Sequence, residues 1–374
     1  MIVRNSALPI TAFLILLTAL VSGCGGSGFG LDAIGPDTEI LVVVDSTVWE
    51  GPVGNAVRGE IAPYLATLPS PEREFDLRAL SLRNNTIDRI RSHKNIIFVA
   101  PIDDPSPVGD FIRNRLPDGG IEAIRDGGRI VAARPDLWRR NQRVYFISAA
   151  DTSSLVATLE EYGPALRDTF NLAARRGLHR DMFRRARQTD VEEQLMERHD
   201  FAVNVQYDYI LVTDTTDFVW LRRVLTDTWR SIFVHYIEDA DPAIITPEWM
   251  TATRDSLTQQ YVQGNVGGWV EIDQRRPLEA EEVEFGGRYA YEMRGLWHMV
   301  SYEGERQIQY GMGGPFVSYA FYDQHSGRVY FVDGMVFAPD FGKREFLRQV
   351  EVIAHTFRSA GDVEAAEAQQ VASR

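Results

Sequence analysis

The chain has 374 residues, of which 44% are hydrophobic and 11% aromatic, so it can bury the cores of two modest domains or of one large one. Its formal net charge of -14 argues against a protein that binds nucleic acid. The single cysteine excludes an intramolecular disulfide and a zinc site made of cysteines.

The first 23 residues are predicted to be a signal peptide that is removed from the chain. Arg4 provides the positive charge, residues 7–20 are apolar, and Val21 to Cys24 resemble a bacterial lipobox, whose cysteine is acylated after cleavage. A transmembrane anchor is the alternative, but the apolar run is shorter than the roughly 20 residues that a span needs. We expect Cys24 to carry lipid such as palmitate and to anchor the protein in the bacterial cell envelope, at the outer membrane facing the periplasm.

The rest of the chain is predicted to form two lobes. Residues 24–38 are rich in glycine and lack hydrophobic periodicity, which predicts a tether below the lipid. The predicted boundaries are 39–172 for the first lobe, 173–203 for a helical connector, 204–357 for the second lobe and 358–374 for a flexible tail.

Buried strands and one long helix are predicted in the first lobe. Residues 39–44 form a continuous β-branched run, and strands are also expected at 75–80, 95–100, 128–133 and 143–148. A helix begins after Asp151, with a kink or break at Gly163 and Pro164. Asp45 directly follows the first strand, where a carboxylate could hold a metal or phosphoryl group. The alternative is that Asp45 caps the helix that follows.

The connector carries a local excess of positive charge. Its basic residues are Arg175, Arg176, His179, Arg180, Arg184, Arg185 and Arg187. They could lie against anionic lipid headgroups, where each basic residue contributes about 1 kcal/mol. The alternative is a solvated helix whose arginines pair with neighbouring acidic residues such as Asp181, Asp190 and Glu192.

The second lobe is predicted to be built around a hairpin of aromatic strands. Residues 315–323 and 328–337 form its strands, and an amphipathic helix from Phe346 to Phe357 covers one face. Before the hairpin, we expect strands at 201–205, 209–213 and 231–237, helical structure at 217–229 and a helix starting at Thr246. Residues 284–297 are expected to be one long strand that contains a glycine pair.

Two local similarities indicate that the lobes arose by tandem duplication. The segment ILVVVDSTVW (40–49) is similar to ILVTDTTDFVW (210–220), and RVYF occurs at 143–146 and at 328–331. The predicted fold class is therefore α+β, with two duplicated lobes, each a mixed or antiparallel sheet covered by helices. A duplication would make Asp45 and Asp214 equivalent and would favour a ligand site between the lobes.

The sequence contains no complete catalytic motif. The seven histidines lack paired spacing, the glycine-rich loop at 311–314 leads into a strand, and Gly-x-Ser-x-Gly is absent. No metal and no cofactor are expected. The residues that only the fold could bring together into a ligand site are Asp45, Asp214, His298 and Asp333.

Short apolar and aromatic blocks resemble a known family. The segments ILVVVDSTVW, FVWLRR, RGLW, GGPFVSYAFYD, VDGMVFAP and KREFLRQVE are similar to domain-of-unknown-function family 4837, a group of bacterial envelope lipoproteins, over nearly the whole chain after the signal peptide. The resemblance implies a location and a chain organisation, and it implies no activity. We therefore expect a non-catalytic lipoprotein that binds an envelope protein or a glycan. The alternative is a hydrolase or transferase whose site is formed only by the fold.

Overall fold

The computed structural model describes residues 30–83, 86–264 and 267–373. Within these ranges the chain forms a five-stranded sheet, an eight-stranded sheet and a small two-stranded sheet, with helices packed on the two larger ones. The predicted α+β class with two lobes is confirmed. None of the described helices is long and apolar enough to cross a membrane.

The first lobe contains the five-stranded sheet. Its strands are β1 (Glu39–Val43), β2 (Asp76–Leu80), β3 (Asn95–Val99), β4 (Arg129–Pro135) and β5 (Arg143–Ala149). Its helices are α1 (Ser46–Trp49), α2 (Pro52–Ala56), α3 (Ile87–Ser92), α4 (Pro107–Arg113), α5 (Gly120–Arg125) and α6 (Thr152–Phe183), with a π-helical turn at Val57–Ile61.

The sheet order in this lobe is β2-β1-β3-β5-β4, and every pair is parallel except β4 with β5. Alternate residues of the central strands enter two different cores, because successive side chains of a strand point to opposite faces. One core joins Val42 and Ile97 to Leu159 and Phe170 of α6. The other core contains residues of α3 and α4. Both faces of the sheet are therefore covered, which explains its continuous apolar strands.

Helix α6 runs through Pro164 without a break. Gly163 lies so close to the π-helical turn that an added Cβ would be 2.5 Å from Cβ of Glu60. Close packing on this turn stabilises the helix where proline removes one backbone hydrogen bond. Of the predicted kink or break, the break is wrong, and the helix extends past residue 172 into the predicted connector.

The second lobe contains the larger sheet. Its strands, with the two of the small sheet, are β6 (Phe201–Ala202), β7 (Ile210–Asp214), β8 (Phe218–Val224), β9 (Trp229–Ile237), β10 (Trp269–Ile272), β11 (Glu279–Phe285), β12 (Arg288–Glu303), β13 (Arg306–Asp323), β14 (Arg328–Phe337) and β15 (Arg358–Ser359). Its helices are α7 (Thr189–His199), α8 (Pro247–Tyr261), α9 (Arg344–Ala354) and α10 (Ala360–Ala372), with a 3₁₀ turn at Pro242–Ile244.

The large sheet is antiparallel, with the order β10-β12-β13-β14-β9-β8-β7 and with β11 also paired to β12. The predicted hairpin is present as β13 and β14, with Asp323 opposite Arg328. Helix α9 packs Leu347 and Val350 into the core on one face. On the other face, Met250 of α8 enters a second core.

The predicted duplication is wrong. Strand β1 lies between two parallel neighbours, whereas β7 is at the edge of an antiparallel sheet. The two RVYF strands also differ, because β5 has one parallel partner and β14 has two antiparallel ones. Apolar and β-branched residues favour any buried strand and carry little information about its pairing direction.

Three other elements differ from the predictions. Residues 218–224 form β8 and not a helix, in keeping with their aromatic and β-branched side chains. Gly286 and Gly287 have φ angles of 59° and 82° and make the tight turn of the β11–β12 hairpin. The single strand predicted at residues 284–297 is therefore divided between β11 and β12. The predicted flexible tail contains α10, whose first turn has a capping box made by Ser359 and Asp362.

The segment predicted as tether is attached to the first lobe where it is described. The N–H groups of Ala33 and Ile34 donate to the carbonyls of Arg140 and Ser92. Ala33 is buried. The first lobe therefore includes Ala33 and Ile34, which precede its predicted start at residue 39.

Polar contacts join the two lobes through the first turn of α9. The Glu72 carboxylate of the first lobe accepts hydrogen bonds from the N–H groups of Lys343 and Arg344, at 2.7 and 3.1 Å. Negative charge at a helix N-terminus is favourable because the first N–H groups lack partners within the helix. Arg344 also pairs with Asp76 at 2.8 Å, and Leu68 enters the core of the second lobe. These contacts hold the lobes against each other.

Candidate functional site

A concave surface lies where the second half of α6 meets the second lobe. We call it the basic cleft, and it has a volume of about 760 Å³. Its lining residues are Arg175, Arg176, His179, Arg180, Arg187, Asn204, Val352, His355, Thr356 and Arg358. They come from α6, from the segments next to β6, and from α9 and the residues that follow it. The tertiary fold therefore assembles a cationic site from separate parts of the chain.

Helix α6 presents its arginines to the cleft because its other face is packed. Ala173, Ala174 and Gly177 are buried, whereas Arg176 and Arg180 are exposed. The spacing of four residues places both arginines on one side of the helix, one turn apart. The first part of the basic run that is conspicuous in the sequence, residues 175–180, thus forms one wall of the cleft.

A half-buried ionic cluster lies beneath this wall. Arg175 donates to the Glu351 carboxylate of α9 at 2.7 Å, and Arg294 of β12 approaches the other oxygen of Glu351 at 3.2 Å. Burial alone would raise the pKa of Glu351, but Arg294 and Arg175 hold it well below its usual value. The ionised carboxylate fixes the position of Arg175.

The opposite wall is held by Glu192 of α7. Arg187 binds this carboxylate with two nitrogens, and Arg358 donates to it at 3.0 Å. Glu192 also accepts the N–H of Val205 at 2.9 Å. Burial would raise the pKa of Glu192, but the hydrogen bond from Arg187, followed by those from Val205 and Arg358, lowers it. Part of the predicted connector is therefore an internally paired structure, as one of the two sequence interpretations proposed.

The charge of the cleft is only partly compensated. Glu192 and Glu351 offset some of its five arginines, but Arg176 and Arg180 make no ion pair with any residue that the structure describes. Two inner groups, Nε of Arg175 and Nε2 of His355, are buried and lack a hydrogen-bond partner among the described residues. The cleft thus has excess positive charge at its rim and unpaired polar atoms near its base.

Both histidines of the cleft have lowered pKa values. Burial lowers the pKa of His355 to about 3, assisted by the neighbouring Arg175. Burial, Arg187 and Arg180 lower the pKa of His179. Repulsion between cations disfavours another positive charge in the same place. Both side chains therefore favour the neutral form, and the arginines carry the charge of the site.

His355 makes the stability of the protein sensitive to acid. In the unfolded chain its pKa returns to the ordinary histidine value of 6.5, so below this pH the unfolded state takes up a proton that the folded state does not bind until about pH 3. We expect the free energy of unfolding to fall as the pH drops below about 6.5, because protonation favours the unfolded chain. Urea unfolding at about pH 7.5 and pH 5 measures this difference. The variant His355→Gln should show a smaller difference, and an unchanged one would contradict the assignment.

The structure places the sequence-predicted site residues apart from this cleft. Cys24 lies outside the described residues. Asp45 is the N-cap of α1 and accepts hydrogen bonds from N and Oγ1 of Thr47, at 2.9 and 2.7 Å. His298 of β12 lies 3.5 Å from Glu271 and 3.9 Å from Asp273. Asp45 and His298 thus each interact with residues of their own lobe.

Asp214 and Asp333 lie on opposite faces of the large sheet. Asp214 pairs with Val219, which belongs to the core under α9, and it binds Nε2 of His199 at 2.8 Å. Asp333 pairs with Phe233, which belongs to the core under α8. The four carboxylate and histidine candidates therefore do not meet in one cleft. In the described part of the chain, no group of three or more metal-ligating side chains could hold a metal ion.

Asp333 instead forms a buried ion pair. It accepts from Nε of Arg254 at 2.8 Å and from Oγ of Ser318 at 2.7 Å, and the Arg254 guanidinium lies 3.7 Å from the centre of the Phe316 ring. Burial raises the pKa of Asp333, while Arg254 and Ser318 act in the opposite direction. The pair is completely enclosed between α8 and the sheet, so it has a structural role.

Sequence reasoning found one wall of the basic cleft and missed the other. The run from Arg175 to Arg187 was conspicuous, but Asn204, His355, Thr356 and Arg358 carry no local signal. Asn204 connects these parts, because its N–H donates to Thr356 at 2.7 Å and its side chain accepts from Arg358 at 3.0 Å. Only the pairing of β6 with β15 brings these segments together.

Fold and cleft define a two-lobed α+β protein with a cationic site at the junction of the lobes. Residues 188–356, which make up most of the second lobe, match the family model described as Domain of unknown function (DUF4837). Residues 33–183 match a different family model, Domain of unknown function (DUF8532). The predicted family is confirmed, but its match is confined to the second half of the chain. The two matches meet between the end of α6 and the start of α7.

Comparison with other proteins gives weak likenesses. The Ran-binding protein Mog1p of Saccharomyces cerevisiae is 12% identical, with 43% of this chain and 90% of that chain covered and a TM-score of 0.29. The human StarD13 (DLC2) lipid transfer and protein localization domain is 9% identical, with coverages of 45% and 95% and a TM-score of 0.17. These scores are too low to indicate a shared fold. No curated protein matches the chain.

Proposed function

We propose that this protein is a lipid-anchored, non-catalytic protein of the bacterial cell envelope that binds an anionic ligand in the basic cleft. The observation that carries the proposal is the convergence of five arginines on a cleft of about 760 Å³. Guanidinium groups bind carboxylates and phosphates through paired, charge-assisted hydrogen bonds. The excess charge of the cleft favours a ligand with more than one negative charge.

Binding accounts for the cleft better than catalysis. Thr356 carries the hydroxyl in the lining, and its Oγ1 already donates to the carbonyl of Ile353 at 2.6 Å. His355, whose pKa is lowered to about 3, is a weak base at neutral pH. The groups that remain are suited to holding charge in place.

The lipobox at residues 21–24 supports the envelope part of the proposal. A protein attached there would meet envelope proteins, glycans and lipids, which are the partners that its location makes available. Those that carry phosphate or carboxylate groups have the chemistry to enter the basic cleft. Neutral glycans lack the charge that the arginines would complement.

Titration with a small phosphate-containing polyanion tests ligand binding. We use the chain from residue 24 onward with Cys24→Ala, which has no acyl group, and inorganic pyrophosphate at low salt in isothermal titration calorimetry. Charge-assisted hydrogen bonds contribute about 1.5–3 kcal/mol each. Arg176→Gln with Arg180→Gln should therefore weaken binding by roughly 100-fold, since about 1.4 kcal/mol corresponds to a factor of ten.

The matched control is Arg184→Gln with Arg185→Gln. These arginines are exposed, follow on the same segment and do not line the cleft, so the control removes the same formal charge. We expect it to bind pyrophosphate within roughly threefold of the parent, because exposed and distant charges are screened. Equal losses in the two variants, or no binding by the parent chain, would overturn the proposal.

A further inference from the structure

The described N-terminal segment enters the first lobe at one edge of its sheet. Residues 31–34 hydrogen-bond to residues just before β3 and β5, where these parallel strands begin. Asp37, two residues before β1, pairs with Lys94 at 2.8 Å. The described chain therefore begins at the edge of the sheet where β1, β3 and β5 start.

Helix α6 brings the basic cleft to this same edge. It starts after the opposite end of β5 and runs back along the sheet for 32 residues, about 48 Å at 1.5 Å per residue, which is longer than the strands it covers. At Gly177 it passes so close to Asp37 that an added Cβ would lie 2.1 Å from the carboxylate. Gly177 is adjacent in sequence to Arg176, which lines the cleft.

A second, smaller cavity connects the entering chain to the cleft. It has a volume of about 140 Å³ and lies between residues 36–38, α6 and α9. Arg175 and Val352 line both cavities. The N-terminal segment and the cationic site are thus neighbours on one side of the molecule.

The length of chain before Gly30 limits the distance to a membrane anchor. Five residues lie between Cys24 and Gly30, so their Cα atoms are six steps apart, and a fully extended chain spans at most about 20 Å over this length. An acyl group on Cys24 would therefore hold this side of the protein within about 20 Å of the bilayer surface. The basic cleft would then be close to the lipid headgroups.

We infer that the ligand of the basic cleft is the phosphate-bearing headgroup of an anionic phospholipid in the membrane that holds the anchor, an inference that rests on the proposed function. Arg176 and Arg180, which are exposed and line the cleft, bind the phosphate.

The charge of the whole molecule supports this orientation. The net charge of -14 makes most of the protein surface unfavourable next to an anionic membrane. A basic residue near such a surface contributes about 1 kcal/mol. Attraction at the cleft and repulsion elsewhere would turn the cleft toward the bilayer, so anchor and cleft act on the same side.

Vesicle sedimentation tests the inference with the same unacylated chain and variants. The probes are vesicles of phosphatidylcholine alone and of phosphatidylcholine with phosphatidylglycerol or cardiolipin. We expect binding to the anionic vesicles only, loss of most of this binding in Arg176→Gln with Arg180→Gln, and a smaller loss in Arg184→Gln with Arg185→Gln. Free pyrophosphate should displace the chain from the vesicles.

The outcomes separate this inference from the proposed function. Pyrophosphate binding in calorimetry without vesicle binding would leave the anion site intact and overturn the lipid assignment, in favour of a soluble phosphorylated ligand. Equal losses of vesicle binding in the two arginine variants would show attraction by the basic surface as a whole and would also overturn it. If the chain binds neither pyrophosphate nor vesicles, the proposed function is overturned as well.

Discussion

Replacing Asp333 with asparagine is expected to lower the free energy of unfolding by about 3–5 kcal/mol, because it leaves the Arg254 charge buried without a counter-ion. Arg254 and Asp333 are both completely buried, and their contact of 2.8 Å is the ion pair between α8 and the sheet. Asparagine has nearly the same shape as aspartate, so the loss would come from charge and not from a cavity. Urea unfolding at neutral pH measures it.

A double replacement separates the charge effect from packing. Arg254→Met with Asp333→Leu removes both charges and keeps apolar volume in place, and such exchanges are often neutral or stabilising. We expect the double variant to be more stable than Asp333→Asn. A loss below about 1 kcal/mol in Asp333→Asn, the level of an exposed pair, would contradict the account of this pair.

The largest effect on location is expected from Cys24→Ala. Because Cys24 is the only cysteine and follows a lipobox-like sequence, its replacement should abolish acylation and normal processing of the signal peptide. A bacterium that expresses the full-length protein is grown with labelled palmitate, and its membranes are then separated. The label measures acylation, and the fraction that contains the protein measures its location. The parent should carry label in the membrane fraction.

Two results would contradict the lipid anchor. The first is a parent protein without label, and the second is a Cys24→Ala variant that keeps it. Asp333→Asn serves as the control if it remains folded, because it alters the core of the second lobe and leaves residues 1–30 unchanged. It should take up label as the parent does.

The sequence predicted individual elements better than their arrangement. The β-branched run of β1, the apolar residues of β3 and the aromatic hairpin of β13 and β14 all occur where hydrophobic periodicity placed them. The amphipathic spacing of α9 also identified its buried face, with Leu347 and Val350 in the core. These signals are local, because each follows from which side chains of one element avoid water.

Pairing direction and site assembly were not predictable in the same way. The sequences of β1 and β7 are similar, but β1 pairs with parallel neighbours and β7 pairs with an antiparallel one at the edge of its sheet. Similarity between the two segments therefore did not reveal their partners. The basic cleft depends on β6 pairing with β15, across more than 150 residues. Sequence spacing indicated the charge on α6. That Arg176 and Arg180 form no ion pair with any described residue is a property of the tertiary structure.

The central claim is that the basic cleft binds a phosphate-bearing ligand, and a crystal structure of the unacylated chain grown with pyrophosphate tests it most directly. The account predicts a pyrophosphate in the cleft, with its oxygens about 2.7–2.9 Å from guanidinium nitrogens of Arg176 and Arg180. An empty cleft at a pyrophosphate concentration that saturates binding in solution, or pyrophosphate bound only elsewhere on the protein, would contradict it.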